Sequence, residues 1–366
     1  MTSTTQTPLL NPNNDVSYAM PSALRMDHLF DLTTDIGIWQ HARGSQPDRR
    51  HGYSIDDQAR ALIVAIDYYR AGVERNRMAW LGKVTFDFLT RAAITAGPNA
   101  GRFHNFCDRH GKWLDRIGSD DSLGRTIWAL GIACDADLPF APRSVAQPLL
   151  ERALTRVGPE SPSRTIAFTM LGLKPRVVGS GSVEALADGL IHEYHATSAL
   201  DWDWFENYLT YCNARLPMAM FIAARALPQR GDFTAIGCRT LDFLLQTTRN
   251  EQGSYSPVGN EHLTTRGWYV RGDDHVPVFD QQPVDAGALV ECCALAYSVT
   301  GDPRYREAAY DAYGWYFGRN VHNLPVYQAD SGGVADAVTA DGVSANMGAE
   351  SVVSAHLAQQ ALWSIE

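Results

Sequence analysis

Lysine is nearly absent from this chain of 366 residues: Lys83, Lys112 and Lys174 stand alone among 31 basic residues. Acids outnumber bases, 41 to 31, for a formal net charge of −10. No segment carries the basic stripe that a duplex nucleic-acid binder needs to neutralise phosphates, so nucleic acid is not an expected partner. Long hydrophobic runs are missing as well. None approaches the roughly 18 residues of a membrane span. Residues 1–22 lack the basic-then-apolar pattern of a signal peptide. They read as a disordered leader ahead of one catalytic domain over 23–366. The six cysteines (Cys107, Cys134, Cys212, Cys238, Cys292 and Cys293) form no CxxC pair. They read as free, buried thiols of a cytoplasmic protein, with neither a zinc site nor a disulfide framework.

Strand signals are scarce too, confined to short stretches at 101–108, 113–116 and 267–271. Helical periodicity fills the rest. Apolar residues at helical spacing, punctuated by Gly, Pro, Ser and Asp, predict helices near 23–41, 54–72, 76–95, 120–134, 142–157 and 161–174. The pattern continues at 179–197, 208–226, 231–248, 283–300, 303–318 and 346–363. The connections alternate in length. Short links such as 71–75 and 301–302 alternate with the long segments 42–53, 96–119, 249–282 and 319–345. Short links make antiparallel neighbours, so the helices form six hairpins with the longer loops mostly at one end.

This predicts an all-α (α/α)6 barrel, a six-hairpin toroid with short β-hairpins in its mouth loops. Even-numbered helices form the inner ring. They should be rich in small and apolar residues, as 61–66, 286–290 and 292–295 are, whereas outer helices keep a polar face like Arg304, Glu307 and Asp311. The fixed repeat of an open α-solenoid is missing.

Polar residues gather where the longer loops run into inner helices. Asp56 and Asp57 follow His51 and Tyr53. Asp120 and Asp121 open the next inner helix. Glu206 sits among Trp202, Trp204 and Tyr208, ahead of Asn213 and Arg215. Asp285 follows Gln281 and Gln282, and Glu350 follows Asn346. Capping accounts for an acid at any one helix start. It does not account for the aromatics and amides around them. Together with His104, these residues form one acidic, aromatic mouth suited to a polyhydroxylated ligand. Aromatic faces stack on sugar rings, while carboxylates and amides fork onto hydroxyl pairs.

Glycosidic cleavage needs two carboxyl groups, one protonated and one ionised. Glu206, between apolar walls, is the first choice of proton donor, with Asp57, Asp285 and Asp121 as the other catalytic candidates. No cofactor or metal is called for. His192 and His195 lack the HExxH spacing, and there is no nucleophile elbow, P-loop or dinucleotide fingerprint.

The stretches HGYSIDDQARAL, GSDDSLGRTIWALG, WDWFENYLTYCNARLP, QQPVDAGALVECCALAYSVTGDPRY and NMGAESVVSAHLA resemble a bacterial family of six-hairpin proteins. Members of that family occur alone or fused to retaining-type glycosyltransferase domains. The resemblance covers 23–363 and implies association with glycosyltransferases, although this chain has no βαβ alternation and hence no such domain of its own. More distantly, the toroid is similar to those of (α/α)6 glycoside hydrolases and N-acylglucosamine 2-epimerases. The reading is a carbohydrate-active enzyme, a glycoside hydrolase cleaving an oligo- or polysaccharide. Two rivals make different demands. A sugar epimerase or isomerase would place His51, His104 or His275 at the centre of the cavity. A non-catalytic glycan-binding partner of a glycosyltransferase would spend its acids on caps.

Overall fold

The computed structural model describes residues 23–174, 179–260 and 268–366. The expected leader lies outside them, as does Gly267. Among the described residues the helices are α1 (Asp27–Asp31), α2 (Ile55–Arg70), α3 (Arg75–Ala92), α4 (Asp120–Ala136), α5 (Arg143–Leu154) and α6 (Ser163–Gly172). They continue as α7 (Ser180–Thr197), α8 (Arg215–Ala226), α9 (Gly231–Thr247), α10 (Pro283–Thr300), α11 (Pro303–Gly314) and α12 (Ala349–Trp363).

The even helices form a closed ring. Each of α2, α4, α6, α8, α10 and α12 packs on the next, and α12 returns to α2. The odd helices α3, α5, α9 and α11 lie outside, each against the inner helix before it. The fold is an (α/α)6 barrel. Burial explains the sorting. In α10 every residue from Pro283 to Ala296 is buried, so no polar face remains, whereas α5 buries only Ala146, Leu150 and Ala153. Close crossings need glycine. A Cβ on Gly131 of α4 would lie 2.0 Å from the Gly172 carbonyl oxygen of α6. All six thiols are free, five of them buried and Cys238 half-buried. No helix of the described residues is long and apolar enough to cross a membrane.

Two helices are shorter than their sequence suggests. The segment expected as a helix over 23–41 is helical only at α1. Beyond it, the Gln58 side chain bonds both backbone polar groups of Ile38, receiving its N–H at 2.8 Å and donating to its carbonyl at 2.9 Å. Those groups are thereby withdrawn from a helical ladder, and the chain turns back on itself, Thr33 bridging Ile38. The helix expected from 208 starts at Arg215. Residues 208–214 instead form part of the mouth, with Cys212 at φ 50°.

The long loops carry two-stranded ribbons. They are β1 (Ala42–Arg43) with β2 (Gln46–Pro47), and β3 (Tyr53–Ser54) with β4 (Phe106–Cys107). Next come β5 (Tyr208–Leu209) with β6 (Tyr269–Val270), β7 (Tyr327–Gln328) with β8 (Gly333–Val334), and β9 (Val338–Thr339) with β10 (Gly342–Val343). All are antiparallel. The ribbons β3–β4 and β5–β6 tie loops of neighbouring hairpins together around the N-termini of the inner helices.

Candidate active site in the barrel mouth

Six inner-helix starts converge on the mouth, and five bring acids within the first turn or the loop before it. The sixth, α6, brings Arg164. Its guanidinium donates to Glu206 Oε2 at 2.7 Å, to the Tyr211 carbonyl at 2.8 Å and to Asn213 Oδ1 at 3.1 Å. Glu206 is therefore gripped by a buried cation, and Asn213 spends its oxygen on Arg164 and on the Thr210 amide. Both hold the 206–213 loop.

Arg125, on α4, sits between the first two acidic junctions. Its Nη1 lies 3.3 Å from Asp56 and 3.4 Å from Asp121, while the Tyr211 hydroxyl also donates to Asp121. Asp56, Ser119, Asp120, Asp121, Arg125 and Tyr211, with Pro162, line a depression of about 440 Å3. Asp120 is exposed and paired with Arg102 at 2.7 Å. One oxygen of Asp56 is buried without a partner, and burial raises its carboxyl pKa despite Arg125 and Arg60.

The arrangement around Arg60 is chemically the most pointed. A single nitrogen, Nη2, bonds Asp57 Oδ1 at 2.9 Å and Glu350 Oε2 at 2.8 Å. The sum of those two distances limits how far apart the bonded oxygens can be, and it falls short of the roughly 6.5–9.5 Å of an inverting carboxylate pair. The two acids live in opposite environments. Asp57 has 4% of its side chain exposed, and burial pushes its pKa up to about 7, with Arg60 opposing and Glu350 and Asp56 reinforcing. Glu350 has 45% of its side chain exposed. Burial of its surroundings works to raise its pKa, but Arg60 and Arg125 outweigh that and the net shift is downward. One carboxyl is poised to hold a proton and its neighbour to stay ionised.

Asp285 has a different task. Its Oδ1 accepts from the Cys212 amide at 2.6 Å, and its Oδ2 is buried and unbonded. Burial lifts it to about 7. It fastens the loop before α8 to the start of α10. Arg215 faces away from this group, pairing with Glu291 at 2.5 Å.

The aromatic wall expected from the sequence is largely core. Trp202 and Trp204 are 3% and 0% exposed, packed on Phe243, and Trp202 Nε1 donates to the Glu206 carbonyl. Neither can serve as a stacking platform. Tyr53 is buried as well, stacked on Trp39 at 4.2 Å with its hydroxyl against Thr34. The physical reason is shared: these rings pack on aromatics of the outer helices, Tyr53 on Phe88 of α3 and both tryptophans on Phe243 of α9. Gln281 is also core, bridging Trp315 and Ser256. Gln282 is the N-cap residue of α10 without a side-chain bond, and Asn346 caps the Gly44 amide at 3.2 Å. Tyr208 is half-buried on β5, its pKa raised by burial and by Glu206.

His104 stacks on Trp113 and bonds the Asp115 carbonyl. His275 is exposed on its loop. His51 lies on the rim, edge-on to His41 at 4.8 Å and 3.8 Å from Asp48. Sequence reasoning passed over Arg125, Arg164, His41 and Asp336. Asp336 caps α12, accepting from the Gly348 amide at 2.6 Å and the Ser351 hydroxyl at 2.9 Å. Arg60 and Arg125 carried a readable signal, since each follows an acid by four residues on one helix face. Arg164 and Asp336 carried none.

No family model matches the chain, and no curated protein matches it. Solved structures do. Cellobiose 2-epimerase from Bacillus thermoamylovorans superposes with a TM-score of 0.69 at 12% identity, covering 93% of this chain and 95% of that one. A D-mannose isomerase gives 0.67 at 13%, covering 93% and 94%. An α-1,6-mannanase from Salegentibacter, solved as an inactive variant with two adjacent aspartates replaced by alanine and with α-1,6-mannotetrose bound, gives 0.61 at 11%, covering 93% and 96%. Likeness at this identity establishes the shared barrel.

Proposed function

We propose that the chain is a cytoplasmic carbohydrate-active enzyme, specifically a glycoside hydrolase that works through paired carboxylates in the barrel mouth. The observation that carries the reading is the Asp57–Arg60–Glu350 unit, which sets a proton-holding carboxyl and an ionised, exposed one on a single nitrogen. Neighbours of this fold that act on sugars, one of them a mannanase inactivated at adjacent aspartates, support the substrate class. Adjacent aspartates open two inner helices here, 56–57 and 120–121.

In this mechanism Asp57 gives its proton to the glycosidic oxygen as the bond to the anomeric carbon breaks. Glu350 attacks that carbon, so the leaving group departs as an alcohol and a glycosyl ester remains. Asp57, now ionised, takes a proton from water, whose oxygen displaces Glu350 and regenerates both groups. The close spacing on Arg60 favours this retaining route. Glu206, gripped by Arg164, and Asp285, with its free oxygen buried, are assigned to shaping the site.

The test is reducing-sugar release from a panel of oligosaccharides that includes α-1,6-linked mannosides. Asp57→Asn and Glu350→Gln should each lower kcat by about 10²–10⁴-fold. In the parent, kcat/KM should fall as pH rises through about 7, where Asp57 loses its proton, and Asp57→Asn should lack that limb. Full activity in both variants would overturn the assignment.

A second reading has one observation behind it. The His41–His51 pair stands on the rim, and the His41 pKa, which burial and His51 lower, is countered by Asp336 and Glu350. A sugar epimerase built on this pair would interconvert mannose and glucose units without releasing reducing ends, and would lose turnover in His41→Asn while surviving Asp57→Asn.

A further inference from the structure

The other end of the barrel is also open. Here the short links 71–74, 137–142, 227–230 and 301–302 join the helices, and a cavity of about 470 Å3 lies on the barrel axis. All six inner helices contribute to its wall, through Asp67, Trp128, Leu171, Ile222, Glu291 and Gln360. Lys174, just beyond α6, completes it. The size falls in the ordinary range of small-molecule sites.

Its polar groups are unusually short of partners. Asp67 and Lys174 are both half-buried, and each is felt by the other's charge. Yet neither makes an ion pair within 4.0 Å with the other or with any described residue. Burial pushes the Asp67 carboxyl up to about 6 and the Lys174 ammonium down, the cost of leaving them apart. Gln360 donates to the Val64 carbonyl at 3.1 Å, but its oxygen is buried with no donor. Between these groups the wall is apolar, with Met218, Ile222 and Leu357. An acceptor and a donor without ion-pair partners, and a buried amide oxygen without a donor, around an apolar floor describe a complement, and water alone does not offer the apolar part.

Charge narrows its class. Asp67 is balanced by Lys174, and Glu291 by Arg215 behind it. Arg225 sits at the exposed rim on the Ser298 hydroxyl, where solvent screens it. An ionic ligand would leave an uncompensated charge inside. We propose that this rear cavity is a second ligand site, separate from the mouth, and that it takes a neutral cyclic polyol of monosaccharide size, with hydroxyls donating to Asp67 and Gln360 and accepting from Lys174. The mouth plays no part in this assignment, so a failed hydrolysis assay leaves it standing.

Calorimetric titration of the full chain with D-mannose, D-glucose and myo-inositol tests it. At least one should bind saturably, one equivalent being lost or weakened about tenfold in Lys174→Met and blocked in Ile222→Trp, which fills the cavity. Glu350→Gln should leave that equivalent unchanged. Lys174→Met removes no packing volume, so it serves if the tryptophan variant does not fold. Saturable binding that ignores both rear substitutions, no saturable binding of any of the three, or preference for glucosamine or glucuronate would each overturn the proposal.

Discussion

Asp285 spends one oxygen on the Cys212 amide and leaves the other buried and unbonded. Ionising it therefore costs more in the folded chain than in the unfolded one, and its pKa rises from 3.8 to about 7. The sign follows from proton binding: between those two values the folded state holds a proton that the unfolded state has released. Its contribution is intact in acid and is lost as pH climbs toward 7, on the order of a few kcal/mol in all. Asp285→Asn keeps the acceptor for Cys212 and cannot ionise. Its Tm relative to the parent should climb between pH 4 and about pH 7 and then level off, and parallel Tm curves would mean that Asp285 titrates as an ordinary surface acid. At this scale the sequence located Asp56, Asp57, Asp121, Asp285 and Glu350 in the first turns of inner helices, because acids at helix starts sit at fixed offsets from loop boundaries. It misled about Trp202, Trp204 and Tyr53. Whether a ring beside an acid faces the mouth or the layer beneath depends on the course of an irregular loop, and period and composition do not encode that course.

Among the elements, α4 and α6 cross closely, and Gly131 and Gly172 allow it. A Cβ on Gly131 would meet the Gly172 oxygen at 2.0 Å, and one on Gly172 would meet the Ile127 oxygen at 2.6 Å. These contacts are backbone on backbone, so no side chain can swing aside. Gly131→Ala should force the two helices apart, lowering stability by about 1–3 kcal/mol or more in chemical denaturation. Gly231, in the first turn of α9, has nothing within 4 Å of its missing Cβ. Gly231→Ala should be neutral or slightly stabilising, since alanine suits a helix better. Equal losses in the two variants would mean that helix propensity, not the crossing, sets the effect. Most of the helices were legible from their period. The exceptions have local causes: Gln58 stole the ladder partners of Ile38, and the loop before α8 was pinned to Asp285.

For the whole molecule, alternating loop lengths were enough to call the ring and to put the acids at one end, because a short link leaves two helices no geometry but antiparallel. The rear cavity was invisible by the same logic, since its lining comes from six helices far apart in sequence and only closure brings them together. That closure joins the last helix to the first inner one: α12 packs on α2, the Gln359 side chain receives the Leu24 amide at 3.1 Å, and Arg60 reaches Glu350. During synthesis the chain emerges from its N-terminal end, so five sixths of the ring must wait with the apolar flanks of α2 and α10 uncovered until α12 appears. The proton-holding pair at Arg60 is likewise the last part of the mouth to be assembled. A half-made copy thus lacks the Arg60–Glu350 contact, and it carries an open apolar seam until translation has supplied the closing helix.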